Sequence, residues 1–297
     1  MMKRASLLLA AAAALLRADL VTDVRSAIAQ GHFADGEAMI KAAEKAQGGA
    51  PSPESILALS WLGRGAQAAK RWDDAERYAK ATRALVEAQL KKRPLDAEPQ
   101  LPLALGASIE VIGHSLAGRG QRSEGVAYLQ GELKQWYATS IRTRTQKNLH
   151  LLSLVGQSAP ALETPVLTKA KGRPVVLFFW AHWCVDCKSQ FSVLTRLQQE
   201  YGSKGLVLIG PTQRYGYVAG GEEAPPDREA KYIAEVRKSF YGDLKMDTPL
   251  SEENFRRYGC STTPTLVLVD RAGKVQLFHP GRMTYEQLQP AIAALVN

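Results

Sequence analysis

The sequence predicts an α plus α/β protein: a helical-hairpin half followed by a half built on a central mixed sheet flanked by helices. Three observations carry that prediction. From Asp19 to about Leu149, apolar residues recur at helical spacing with few strand signals. The run Val175-Val176-Leu177-Phe178-Phe179-Trp180-Ala181 is apolar at every position, as in a strand covered on both faces. Cys184-Val185-Asp186-Cys187 follows that run directly and precedes a new helical period.

With 297 residues the chain is long enough for two separate cores. At the N-terminus, Lys3 and Arg4 precede an apolar run from Ala5 to Leu16, interrupted only by Ser6. A basic start and a run too short to span a bilayer comfortably predict a signal peptide over 1–18, cleaved after Ala18. The chain is then expected to be exported, to the bacterial periplasm or another extracytoplasmic space. An alanine-rich first helix of a cytoplasmic protein is the competing reading. No cysteine follows the run, so no lipid anchor is expected. No other segment approaches the length of a membrane span, so no integral membrane domain is expected once the leader is removed.

The helical domain is placed at 19–150. Three polar turns within it look alike: Gly31-His32-Phe33-Ala34-Asp35-Gly36, Lys70-Arg71-Trp72-Asp73-Asp74-Ala75 and Gly120-Gln121-Arg122-Ser123-Glu124-Gly125. Amphipathic segments flank each, and small residues such as Gly63 and Gly113 are placed to let antiparallel helices approach. The pattern resembles tetratricopeptide-like (TPR-like) hairpins, which stack into concave partner-binding surfaces. It fits a plain helical bundle equally well. His32, His114 and His150 are isolated, and no constellation here suggests chemistry.

A composition shift near Leu154-Val155-Gly156-Gln157-Ser158-Ala159-Pro160 opens the second domain, 151–297. After the apolar strand, Phe191, Leu194, Leu197 and Tyr201 recur at helical spacing, which sets Cys184 at a helix N-terminus. The free N–H groups and partial positive charge there favour a thiolate, the nucleophile of disulfide exchange. Leu206-Val207-Leu208-Ile209 reads as a second strand, followed by a long Gly- and Pro-rich connection containing Tyr215 and Tyr217. These tyrosines either line a groove or pin their own loop. Ile233, Val236 and Phe240 then mark one face of a helix. Thr263-Pro264-Thr265-Leu266-Val267-Leu268-Val269 and Val275-Gln276-Leu277-Phe278 form a hairpin about Asp270-Arg271-Ala272-Gly273. Tyr285, Leu288, Ile292 and Leu295 close the chain with an amphipathic helix.

The stretch Phe179-Trp180-Ala181-His182-Trp183-Cys184-Val185-Asp186-Cys187-Lys188, with Thr263-Pro264-Thr265 downstream, resembles the thioredoxin superfamily. The entry segment 155–160 resembles its exported TlpA/ResA-like branch of thiol–disulfide oxidoreductases. That resemblance implies a thioredoxin-like fold and an exposed attacking Cys184 resolved by a buried Cys187. It also implies a cis Pro264 that presents the backbone of Thr263 to an extended substrate, with Trp183 shielding the disulfide at the rim. No cofactor is implied beyond a redox-active disulfide Cys184–Cys187. The implied partners are protein clients with thiols or disulfides and an upstream thiol–disulfide electron-transfer protein.

Two positions depart from the family. Phe178 stands where thioredoxins keep a buried aspartate, and Gln190 where ResA-type proteins place a glutamate. Proton transfer therefore needs another carrier: Asp186, His182, Lys188 or water. The negative Asp186 opposes the thiolate and raises its pKa, which favours a reducing protein over a strong oxidant. A different reading makes the helical half the functional part, a client-binding adaptor beside a scaffold of little activity.

Other chemistries fit poorly. Zinc needs four ligands, and only Cys260 remains as a third thiol. A copper relay through Cys184, Cys187 and His279 suits Cu(I) chemistry but places His279 among ordinary turn residues. Peroxide chemistry wants a threonine where Ala181 stands. A structural bridge across two intervening residues braces almost no loop. The formal charge of +9 is scattered, with small clusters at Lys91-Lys92-Arg93 and at Arg142, Arg144 and Lys147, and no nucleic-acid motif accompanies it. Cys260 reads as a small buried core residue.

Overall fold

A computed structural model describes residues 19–296; the expected leader lies outside the described residues. The described chain forms two compact units. One comprises 19–128 with Ala138–Ile141, and the other Leu129–Tyr137 with 142–296.

The first unit is helical. Its elements are α1 (Leu20–Ala29), α2 (Phe33–Ala46), α3 (Pro53–Ala68), α4 (Trp72–Leu90) and α5 (Gln100–Gly118), with α6 (Arg122–Gln135) running on into the second unit's residues. The three look-alike turns share one geometry. Gly31, Lys70 and Gly120 have φ of 80°, 57° and 88°, the left-handed region that suits glycine. In each, the next residue's N–H reaches back five positions: His32 to Ala27 O (2.9 Å), Arg71 to Ala66 O (2.8 Å), Gln121 to Leu116 O (3.0 Å). The left-handed residue's own N–H bonds Ile28, Gln67 and Ala117 in turn. This pair of bonds satisfies the last carbonyls of a helix and reverses the chain.

α3 packs against α1, α4 and α5 over a core that includes Val24, Phe33, Ala58, Leu62, Tyr78 and Val111. Close approach is needed at other glycines than the sequence suggests. A β-carbon at Gly65 would come within 2.3 Å of Ile28 and one at Gly118 within 2.7 Å of Trp72, whereas at Gly63 it would meet Tyr78 at an ordinary 3.5 Å. The expectation that nothing beyond the leader approaches a membrane span is corrected by α5. This helix is long and apolar enough by length and composition, and most of it is buried within the protein because it forms the centre of the helical core.

The second unit contains α7 (Arg142–Ser153), α8 (Val166–Lys169), β1 (Val175–Phe179), α9 (Val185–Tyr201), β2 (Val207–Ile209), α10 (Pro226–Tyr241) and β3 (Met246–Asp247). α11 (Glu252–Tyr258), β4 (Thr265–Val269), β5 (Val275–Pro280) and α12 (Tyr285–Val296) complete it. The mixed sheet has order β3-β2-β1-β4-β5; the β1–β2 and β2–β3 pairs are parallel, β1–β4 and β4–β5 antiparallel. β1 and β4 are buried at every position, as apolar runs in covered strands must be. Val176 and Phe178 point to a core shared with Leu194, Leu197, Ile233 and Ile292 of the flanking helices. Val175, Leu177 and Phe179 point to the opposite core, with Phe255 and Tyr258 of α11.

Residues 142–150, assigned from sequence to the helical half, group instead with the second unit. The cause is packing by α7: His150 bonds Tyr258 O at 3.1 Å and its ring meets Phe278 edge-on. Gly259 permits this contact, since a β-carbon there would lie 2.4 Å from the Lys147 backbone nitrogen.

Candidate functional site

β1 and β4 bring the two motif segments together. Phe179, the last residue of β1, pairs with Thr265, the first of β4, so the cysteine loop and the Thr263–Pro264 segment leave the same end of the sheet. The Thr263–Pro264 peptide bond is cis. Cys184 and Cys187 are joined as a disulfide, with Cα atoms 5.2 Å apart. Cys184 is the N-cap of α9, and its Sγ accepts the Cys187 N–H at 3.0 Å. One of the otherwise unpaired N–H groups of the helix start is thus aimed at the sulfur, where it favours negative charge.

Cys184 is not exposed as expected. It retains 3% of its accessible surface and Cys187 0%, because the disulfide is tucked into the core that also holds Trp180 and Leu194. The rim is carried by its neighbours: Trp183 is 47% exposed and Val185 more so. Trp180 is fully buried, and its indole N–H donates to Gly210 O at 3.0 Å.

The candidate proton carriers sit in very different places. Asp186 is exposed and faces Arg282 at 3.5 Å, so a cation offsets the charge that was expected to act on the thiolate unopposed. Lys188 lies over the ring of Phe240 at 4.2 Å, and Phe240 is exposed rather than part of the buried face of α10 that holds Ile233 and Val236. His182 is turned inward. It donates from Nε2 to Glu229 Oε1 at 3.2 Å, and both side chains are 1% exposed. The rings of Tyr215, Tyr217 and Tyr232 surround it edge-on. Burial lowers the His182 pKa, against the opposing pull of Glu229.

Gln190 is buried and fully used. Its amide donates to Met283 O and its carbonyl accepts the Met283 N–H, both at 3.0 Å. In place of an ionisable group, this position holds a neutral clamp that fixes the loop between β5 and α12.

Sequence reasoning missed Glu229. Its carboxylate also accepts the N–H groups of Tyr215 (2.5 Å) and Gly216 (2.9 Å). The signal was present: Glu229 lies four residues before Ile233, which places a carboxylate on the apolar face of α10. Arg282 had no comparable signal.

A groove of about 860 Å³ is lined by Trp183, the neighbour of Cys184 in the chain, by Tyr215 and by Cys260, Ser261, Thr262 and Thr263. Cys260 is a free, buried thiol whose pKa is pushed well up by burial, an effect that the Thr265 hydroxyl partly opposes. Among the described residues no cluster of three or more His, Cys, Asp or Glu side chains could hold a metal ion.

Comparison with known proteins gives a consistent result. Residues 163–295 match the family described as a thioredoxin-like domain. The chain is 26% identical to the thioredoxin-like protein YneN of Bacillus subtilis over 143 residues, 45% of this chain and 76% of that protein. It is 29% identical to the thiol–disulfide oxidoreductase ResA of Bacillus thuringiensis over 121 residues, 40% of this chain and 61% of ResA. Among solved structures, the exposed lipoprotein thioredoxin Etrx1 of Streptococcus pneumoniae is 26% identical, with 43% of this chain and 90% of that one covered and a TM-score of 0.35. The chain thus spans about three fifths of the ResA protein it matches. Residues 163–295 are thus similar to a thioredoxin-like domain, and YneN and ResA are similar to this chain over its C-terminal half.

Proposed function

We propose that this chain is an extracytoplasmic thiol–disulfide oxidoreductase that exchanges disulfides with protein clients through Cys184 and Cys187. The observation that carries the reading is the N-cap placement of Cys184, whose sulfur accepts the Cys187 N–H and whose neighbour Trp183 lines a groove reaching Thr263. In the reduced protein, the Cys184 thiolate attacks a client disulfide; a new S–S bond forms, the client's bond breaks, and one client sulfur leaves as thiolate. Cys187 then loses its proton and attacks Cys184 Sγ, which releases the second client thiolate and leaves the protein oxidised. Two electrons have passed to the client, and a dithiol protein upstream restores them. Water, reaching the rim between Trp183 and Val185, carries the proton, since Gln190 cannot and His182 is committed to Glu229.

The expected direction is reduction rather than strong oxidation. Asp186, where strong oxidants of the superfamily carry a histidine, works against the thiolate, and Arg282 moderates the effect. The helical unit, with its three equivalent turns, serves as a TPR-like platform for clients. A Cys187→Ser chain is expected to accumulate a mixed disulfide with its client in extracts of its host. Absence of any trapped species, together with a wild type inert toward test disulfides, overturns the exchange reading in favour of an adaptor. A reduction potential as high as about −120 mV overturns the direction alone.

A further inference from the structure

One carboxylate, Glu229, ties three separate pieces of backbone and side chain together next to the disulfide. It accepts from Tyr215 N–H, Gly216 N–H and His182 Nε2, and it is almost wholly buried while doing so. The two N–H groups belong to the long connection after β2, and His182 belongs to the segment entering the cysteines. A carboxylate offers about four acceptor sites, which is why one side chain can hold all three donors. Glutamine in its place has one acceptor oxygen and turns an N–H₂ toward a remaining N–H donor.

The consequence lies at the groove. Tyr215 is fixed with its ring edge-on to Trp183, centroids 5.4 Å apart at 81°, so the two rings form one apolar wall. Thr263, which precedes the cis proline, lines the same groove. A groove with an aromatic wall and the polar 261–263 segment in its lining suits an occupant that is apolar on one side and brings a backbone donor or acceptor on the other. An extended peptide with an aromatic or large aliphatic side chain beside its cysteine has that character.

We propose that Glu229 is a positioning residue that holds this wall, and that the wall selects clients carrying an aromatic or large aliphatic residue next to the reacting cysteine. The proposal rests on the exchange reading given above, and it adds a substrate class and a residue to it.

The test uses the full chain and two disulfide-bonded peptides that differ only in Phe or Ser beside one cysteine. Wild type is expected to prefer the Phe peptide roughly tenfold in kcat/KM, the scale of one good aromatic contact, mostly through KM. Glu229→Gln is expected to cut that preference to about threefold or less while its equilibrium with glutathione changes by less than about twofold. Tyr215→Phe is expected to keep the preference and Tyr215→Ala to lose it, and this pair decides the matter should Glu229→Gln fail to fold. Equal rates on both peptides in the wild type, or full preference retained in Glu229→Gln or Tyr215→Ala, overturn the wall while leaving exchange intact. Reduction of neither peptide, with nothing trapped by Cys187→Ser, overturns the exchange reading itself.

Discussion

The two units lean on different hydrogen bonds for their buried polar groups. In the helical unit several are local, with Ser60 donating to Leu57 O, Thr82 to Tyr78 O and Ser108 to Leu105 O, each within about one helical turn, beside two longer ones from the Tyr78 hydroxyl to Glu37 and the Ser55 hydroxyl to Glu44. In the second unit several of them span the chain. Gln190 is bonded to Met283, His182 to Glu229, Asn254 to Glu163 and the Thr212 hydroxyl to Trp180 O. Local bonds ask nothing of tertiary structure, so one turn can be used three times over. Long-range bonds fix one segment against another in a single way, and here they concentrate on the loops that frame the disulfide. The first arrangement builds a surface; the second holds a site.

Three measurements break or sharpen that contrast. The largest effect is expected from Gln190→Leu, which strips both partners from the Met283 backbone and should cost about 2–3 kcal/mol in urea unfolding. A loss no bigger than that of a surface change would show that the clamp adds nothing to the fold.

Acid should act next, and it acts on the long-range bonds. Burial lowers the pKa of His150 and of His182 below the ordinary 6.5. His150 is held neutral between Tyr258 O and the Gln146 amide. The unfolded chain binds protons at both histidines where the folded chain resists. Stability is therefore intact above about pH 6.5 and falls as pH drops below it, by at most about 1.4 kcal/mol per pH unit for each histidine. Urea midpoints between about pH 7.5 and 5.5 test this, and His150→Asn should flatten the slope; a flat wild-type profile defeats the argument.

The smallest effect belongs to Ser60→Ala. Its hydroxyl bonds its own helix and alanine is the better helix former, so the change should stay within about 0.5 kcal/mol. A cost above about 2 kcal/mol would mean that the helical unit also depends on specific polar contacts.

Much of the frame was legible because short-range patterns encode it. The apolar run of β1, the helical period after Cys184 and the repeated turns are each contained within about ten residues. Other features depend on partners far along the chain. α7 is helical from its own sequence, yet its place is set by Tyr258 and Phe278, more than a hundred positions away. β3 is two residues long, too short to carry a period of its own. The ion pair between Asp186 and Arg282, which revises the electrostatics of the motif, arises only because the sheet returns the β5–α12 loop to the start of α9. The burial of Cys184 likewise comes from the packing around it and from no feature of the C-x-x-C spacing.

On the exchange proposed above, that burial bears on how the pair is charged with electrons. Sulfurs sealed to this degree are expected to meet small diffusing thiols and oxidants more slowly than a docked macromolecule that shifts the residues packed around them. The state of the pair would then follow which proteins visit it and how often, apart from the redox balance of the surrounding fluid.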